Sequence, residues 1–505
     1  MRNPRPLVLL LFLLTVTPAP LPAASRDADP LDEIRRSGFN ESELQSLLLN
    51  LADVPGPRLT GSPALQRTRR WAMDRFRDWG IPDVRLEPWG DPVPSWEVER
   101  CTLEMLSPHY ANLLVFPRAW SPGVPRVLQG RPLHVVLESA ADLDRFRGRL
   151  KGALVLLGKP RELDGEMTVK PQRFSQEELD RMLEPEQPSR SDHEERRRKR
   201  EAYLQWRRQV AEFLREEGVR AVVEPGFGAG GTVLVAGGSP SSPLDLPQLV
   251  LAPEHYNLLV RLVEAGVTPE LRLHYQVRRG PAAPDANLVA EIPGSDARLR
   301  DQIVMLGAHL DSWLGGTGAS DNAAGCAVVM EAMRLIRRVG TPRRSVRAVL
   351  WSGEEQGLLG SRAWVSQRLA PRDGDLPPEH ARLSAYFNLD NGSGKIRGVY
   401  LQGNEAVRPV FEEIIAPLAD LGVSTLSPRP TWGTDHLPFD SVGIPAFQFI
   451  QDPLKYDTLT HHSNLDVVDH LSVEDLQQAS VVLAWFVWST AMLDDPLPRK
   501  NPPAP

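Results

Sequence analysis

Two cysteines in 505 residues cannot build a disulfide framework, which excludes a small cross-linked scaffold. Cys101 and Cys326 could pair by number alone, yet Cys326 sits in an apolar helical pattern and reads as a plain buried thiol. An excess of positive charge is also missing. Lys and Arg number 58 against 65 Asp and Glu, a net charge of −7, so no global field gathers nucleic acid or an anionic membrane. No apolar run reaches the roughly 20 residues that span a bilayer. A Gly-x-Ser-x-Gly elbow is absent, since Gly392-Ser393-Gly394 lacks the intervening residues, and this argues against a serine hydrolase of that type. Gly315, Gly316 and Gly318 precede a helix that has no Lys-Ser or Lys-Thr, and Asp321 would repel phosphate there, which argues against a nucleotide cradle. Gly and Pro, 38 and 47 residues, fall well short of the roughly 25–30% of a low-complexity chain.

What is present is a folded chain, 41% hydrophobic and longer than the roughly 250–300 residues over which one core grows, so two domains are expected. Residues 1–24 have the pattern of an export leader: Arg2 and Arg5, the apolar run Leu7–Val16 broken only by Thr15, then small residues ending at Ala24. The mature chain then starts near Ser25, is secreted or periplasmic, and keeps no integral membrane contact. Apolar residues at helical spacing between Glu41 and Trp79 predict two helices separated at Pro55-Gly56. Val84 to Leu106 reads as a strand pair. From about Ser107 to Pro284 short apolar runs, such as Leu133–Leu137, Ala153–Leu157 and Ala221–Val223, predict an inserted β-rich module. Within it Ser175–Arg220 is densely charged. Its run of cations Arg196–Arg200 is flanked by Glu194, Glu195 and Glu201, which favours a solvated helix with Leu204, Val210, Phe213 and Leu214 on one buried face over a nucleic-acid patch.

From Asn287 onward strands and helices alternate, as in an α/β layer with a largely parallel sheet. The expected strands are Leu288–Ile292, Ile303–Gly307, Ser345–Leu350, Ser384–Leu389 and Pro445–Ile450. A helix over Asn322–Val339 starts with Asp321 at its N-cap, and another follows Val473. The tail 496–505 is expected to be loose.

In such sheets functional groups collect beyond the carboxyl ends of the strands. Here these ends are followed by His309-Leu310-Asp311, by Asp321, by Glu354-Glu355, by Asp390 and by His461-His462. Two imidazoles and three carboxylates without a thiolate suit Zn²⁺ with open catalytic positions. Asp311, two residues beyond His309 in an extended segment, can orient that imidazole. Adjacent Glu354 and Glu355 cannot both face one point, so the pair divides into a metal ligand and a general base. Asp321 can bridge two cations with its two oxygens.

These residues carry a family resemblance. His309-Leu-Asp311-Ser, Ser320-Asp321-Asn-Ala-Ala-Gly325, Gly353-Glu354-Glu355-Gln-Gly357, Asn388-Leu-Asp390, Gly433-Thr-Asp435-His436 and His462-Ser-Asn-Leu-Asp466 resemble the M28 zinc peptidases. The resemblance implies a phosphorylase/hydrolase-like mixed sheet flanked by helices, built from residues 31–106 and 285–495, with residues 107–284 as an inserted protease-associated (PA) domain. It implies two zinc ions per chain: His309 and Asp390 on one, Glu355 and His462 on the other, Asp321 between them, and Glu354 as general base. Many members have Tyr where this chain has His461, and His462 is taken as the ligand. Asp311, Asp435 and His436 are assigned to orienting ligands or substrate, and Trp313 to the pocket wall or the packing beneath it. The implied activity is zinc-dependent exopeptidase action on short peptides or dipeptides, without nucleic acid and with room for a homo-oligomer. A catalytically silent peptide-binding protein and a single-zinc enzyme resembling glutaminyl cyclase are the alternatives.

Overall fold

The strands Ile303–His309, Ser345–Trp351 and Leu383–Asn388 are near-continuous apolar runs, buried at every position, and such strands need cover on both faces. In the computed structural model, which describes residues 29–163, 172–185, 190–240, 245–370 and 375–500, they pair in parallel with Ile303–His309 in the middle. Ala446–Gln451 extends the parallel set, and Ile396–Tyr400 and Thr425–Ser427 complete that edge. On the other flank Glu270–Ile292 runs antiparallel to Ser345–Trp351 and pairs in turn with Asp83–Ser107. The result is the expected mixed sheet flanked by helices. Side chains alternate across it: Val304 and Leu306 join Leu335, Ile336, Val482 and Phe486 of the helices Ala324–Val339 and Val473–Met492. Ile303 and Met305 face the opposite layer, where Trp364 and Phe439 pack on Trp351 and Tyr386.

Val84–Leu106 is one strand, not a pair. Gly90-Asp91 supplies no hairpin and lies within a register shift between Trp89 and Val93, while the partner strand returns from the insert. The inner half of this long ribbon belongs to the main sheet. Its outer half carries Trp96, Leu103, Met105, Leu271, Leu273 and Tyr275 into a second core.

That second core supports a separate sheet of order Val115–Pro117, Gln248–Leu251, Ala221–Pro225, Leu154–Leu157, Pro132–Val135. Four strands are parallel and the first is antiparallel. Leu154 and Leu156 face the ribbon and the helix Pro253–Glu264, whereas Val155 and Leu157 face Val210, Phe213 and Leu214 of the helix Arg190–Glu216. Helices therefore cover both faces of a module that its short apolar runs suggested was mainly β. Leu204 departs from its expected place and stays 43% exposed, because it lies on a different stripe of that helix from Val210, Phe213 and Leu214.

Two smaller expectations also change. The tail is docked as far as Lys500: Leu497 is buried, Arg499 donates to the carbonyls of His380 and Leu383, and Lys500 pairs with Asp440. Asp321 does not cap the helix after it. Its backbone is non-helical, the helix begins at Ala324, and the Asn322 side chain accepts from Gly325 N instead. Cys101 and Cys326 are both free. Among the described residues no helix is long and apolar enough to cross a membrane; the leader 1–24 lies outside them.

Candidate metal centre

Each parallel strand ends where the sheet opens, and His309, Asp390 and the Glu354-Glu355 turn are delivered there by three neighbouring strands. Asp321 arrives from the turn before the helix Ala324–Val339, and His461-His462 from the turn after Ala446–Gln451. Nothing in the local sequence of any one segment brings the others close; the parallel order of the strands does.

The contacts divide into two sets that meet at Asp321. His309 Nε2 lies 3.1 Å from Asp321 Oδ1 and 3.3 Å from Asp390 Oδ1. His462 Nε2 lies 3.1 Å from Asp321 Oδ2 and 2.9 Å from Glu355 Oε2. His461 is farther, 3.8 Å from Asp321 Oδ2, and stacks on Tyr456 with ring centroids 4.7 Å apart. His309 Nδ1–H donates to the backbone carbonyl of Asp311 at 3.0 Å, so the lone pair on Nε2 points into the cluster.

The chemistry of this donor set fits divalent cations. Asp321 Oδ2, Glu355 Oε1 and Asp390 Oδ1 are buried oxygens without a hydrogen-bond partner, an arrangement that is costly unless a charge satisfies them. Among the side chains alone the crowding shows in their proton affinities. Burial, with the Asp321 charge, pushes Glu355 up to about 8. Burial also holds Glu354 well above the usual carboxylate range, and Asp390 and Asp435 add to that against the pull of His309. Burial works the other way on His462, but Glu355 and Asp321 outweigh it and raise the imidazole to about 11. A cation relieves this concentration of negative charge.

The supporting residues are partly those expected. The Asp311 carboxylate does not make the closest contact to His309, which its own carbonyl makes; it accepts instead from Glu354 N at 3.2 Å, Glu355 N at 3.3 Å and Thr60 Oγ1 at 3.0 Å. Its work is to hold the Glu354-Glu355 turn. Asp435 and His436 are buried behind the cleft rather than lining it: Ser361 Oγ donates to Asp435, and His436 Nε2 meets the Thr431 carbonyl at 3.3 Å. Burial lowers His436 to about 4 and keeps it neutral. Trp313 serves in both ways considered for it, packed into the second core while its ring meets that of His462 edge-on.

Two residues that the motif reading left without a role are central. Asp466 accepts from the backbone N–H groups of Ser320 and Asp321, at 2.5 and 3.2 Å, and so fixes the segment that carries the Asp321 carboxylate. Asn464 joins the His462 loop to the insert: its Oδ1 accepts from Val233 N at 2.6 Å and its Nδ2 donates to Gly231 O at 3.0 Å. Val235 N donates to His462 O at 2.8 Å. Gly316 is required at this junction because a Cβ there would come within 2.4 Å of the Asp466 carbonyl.

The insert is tied to the other half at a second place as well. Arg173 pairs with Asp452 and Asp475, and Ser427 Oγ donates to Met182 O at 2.6 Å. A cleft of about 1250 Å³ is lined by Asp321, Glu354, Glu355, Asp390 and His462. Its far wall is the helix Arg190–Glu216 of the insert.

The model for peptidase family M28 matches residues 287–487. Carboxypeptidase Q of Homo sapiens is 26% identical over 451 residues, covering 89% of this chain and 85% of that protein. Among solved structures, a peptidase M28 precursor from Shewanella amazonensis SB2B superimposes with a TM-score of 0.66 at 23% identity, covering 93% of this chain and 98% of the other. A zinc aminopeptidase from Bacillus subtilis gives 0.55 at 20% identity, covering 89% and 95%.

Proposed function

We propose that this chain, whose residues 287–487 match the model for peptidase family M28, is an exported zinc exopeptidase that hydrolyses a terminal peptide bond of short peptides at a two-cation centre. The observation that carries this is Asp321 between two imidazole–carboxylate pairs, His309 with Asp390 and His462 with Glu355. One tetrahedral site does not need five such ligands. Zinc held by these residues would supply Lewis acidity toward a carbonyl oxygen and lower the pKa of a water molecule.

The chain's own part is proton transfer and positioning. Glu354 accepts the proton of the attacking water as the C–O bond forms, then returns it to the departing amine as the C–N bond breaks. Asp311, through the two backbone N–H groups it accepts from, keeps Glu354 and Glu355 turned to different partners. Residues 107–284, which resemble a PA domain, roof the cleft and restrict entry to short chains, and the leader 1–24 supports export.

A silent binding protein would have no reason to keep a base beside a full ligand set. A single-zinc cyclase would leave the His462–Glu355 pair without a purpose. The test combines elemental analysis with a panel of free dipeptides, N-acylated dipeptides, C-amidated dipeptides, aminoacyl anilides and casein. About two zinc ions per chain and cleavage from one end are expected. Full activity at one zinc or fewer would remove the two-cation claim, and rapid internal cleavage of casein would remove the exopeptidase claim.

A further inference from the structure

One face of the charged helix of the insert lines the cleft. Arg200, Leu204, Arg207, Arg208 and Ala211 follow the i, i+4, i+7, i+8, i+11 spacing of one helical stripe, and all of them line the cleft over the candidate metal centre. Arg362, on the helix that follows the Glu354-Glu355 turn, lines the same space from the catalytic half. Arg207 is neutralised by the buried Glu224, which it shares with Arg118. Arg200, Arg208 and Arg362 make no ion pair among the described residues. Apart from the metal-centre carboxylates, the acidic residue lining the cleft is Asp457. Two divalent cations would cancel the four charges of Asp321, Glu354, Glu355 and Asp390, so the arginines set the sign of the remaining cleft. That sign is opposite to the net −7 of the whole chain.

We propose that this stripe is the specificity surface of the cleft and that it selects peptides ending in aspartate or glutamate. In these the free α-carboxylate and the side-chain carboxylate divide the guanidinium groups of Arg200, Arg208 and Arg362 between them. One carboxylate occupies one planar fork, so a cleft with several forks that have no carboxylate partner among the described residues has capacity for a second anionic group. Leu204, between Arg200 and Arg208 on the stripe, offers an apolar contact for the methylenes of that side chain. The inference rests on the exopeptidase reading for its assay but not for its binding chemistry.

The experiment compares Ala-Glu with Ala-Gln, which differ in charge and hardly in shape, on the zinc-loaded full chain. The expected kcat/KM ratio favours Ala-Glu by about tenfold or more and falls as salt is raised. In the double variant Arg200→Ala/Arg208→Ala the ratio should drop toward one, Arg208→Glu should reverse it, and Arg208→Lys should keep part of it. Lys199→Ala, on the same helix but paired with Glu195 and outside the cleft, should leave the ratio unchanged. Calorimetric binding of both dipeptides to zinc-loaded Glu354→Gln gives the same comparison without turnover. Equal binding and equal hydrolysis of the two peptides would overturn the inference, as would a preference that survives in the double variant. If neither peptide is hydrolysed by the unmodified enzyme while the binding preference is present, the exopeptidase reading fails and the charge selection stands.

Discussion

Asn464→Ala should loosen one zinc ion and leave the other alone. His462 sits in a left-handed backbone conformation, φ +56°, which costs a non-glycine residue roughly 1–2 kcal/mol and persists only where neighbours enforce it. The neighbours here belong to the insert: Val233 and Gly231 bond the Asn464 amide, and Val235 N holds the His462 carbonyl. The alanine variant removes the two side-chain bonds and keeps the backbone ones. At about 1 kcal/mol net for each half-buried bond, the ordered loop loses about 2 kcal/mol, which corresponds to about 30-fold in an equilibrium constant. That loss should appear in the affinity of the ion held by His462 and Glu355, with the ion at His309 and Asp390 affected much less. A stepwise zinc titration against a chromogenic chelator resolves the two constants, and circular dichroism verifies that the fold is kept. Asn464→Asp should resemble the alanine variant, because it retains an acceptor for Val233 N but sets a carboxylate oxygen against the Gly231 carbonyl. Two zinc constants unchanged within about threefold, in a folded Asn464→Ala protein, would refute the idea that the insert braces the ligand loop.

Glu354→Gln should keep both zinc ions and lose at least about 100-fold in turnover, since base catalysis contributes roughly 10²–10⁴. Glu355→Gln should instead lose zinc and activity together and recover partly when zinc is added; the opposite pattern in elemental analysis would exchange the two roles. His309→Ala and His462→Ala should each lose metal, whereas His461→Ala, whose ring stacks on Tyr456 and lies farther from Asp321, should retain most of it. Glu224→Gln should lower thermal stability by about 3 kcal/mol, as expected when one partner of a buried ionic cluster is removed. Burial opposes the charge on Glu224, but Arg118 and Arg207 outweigh it and hold its pKa below the usual value. Its contribution is therefore complete above the ordinary carboxylate range and is lost as pH falls through the lowered folded value, so the variant should unfold over a flatter acid limb.

The candidate ligands His309, Glu355 and Asp390 stand out in the sequence because each lies at a strand exit, and strand exits are marked by apolar runs that end abruptly. Their partners were legible only where sequence distance is short, and even there the geometry can be subtler than spacing suggests. Asp311 is two residues from His309, as an orienting carboxylate should be, but the backbone carbonyl meets the ring and frees the carboxylate for the Glu354-Glu355 turn. Asp321 has the chemistry of an N-cap at the start of a helix. Its two oxygens face two imidazoles instead, so capping falls to Asn322.

What could not be read is what depends on the insert returning to the site. Nothing in Gly231–Val235 announces that it pairs with Ser463 and Asn464, more than 200 residues away, because the bonds are mostly to backbone groups that every sequence carries. The helix Arg190–Glu216 shows the same limit from the other side. Its apolar residues form a buried face whatever the helix covers, but charge on the remaining faces has no fixed meaning until the opposite wall is known. Leu204, an apolar residue off the buried stripe and placed between arginines, lines the cleft, which its sequence context alone did not reveal. If the arginines around it prove indifferent to the charge of a bound peptide, that helix returns to being a solvated surface, and the selectivity of the cleft must be sought on the catalytic side, around Leu358, Trp432 and Leu437.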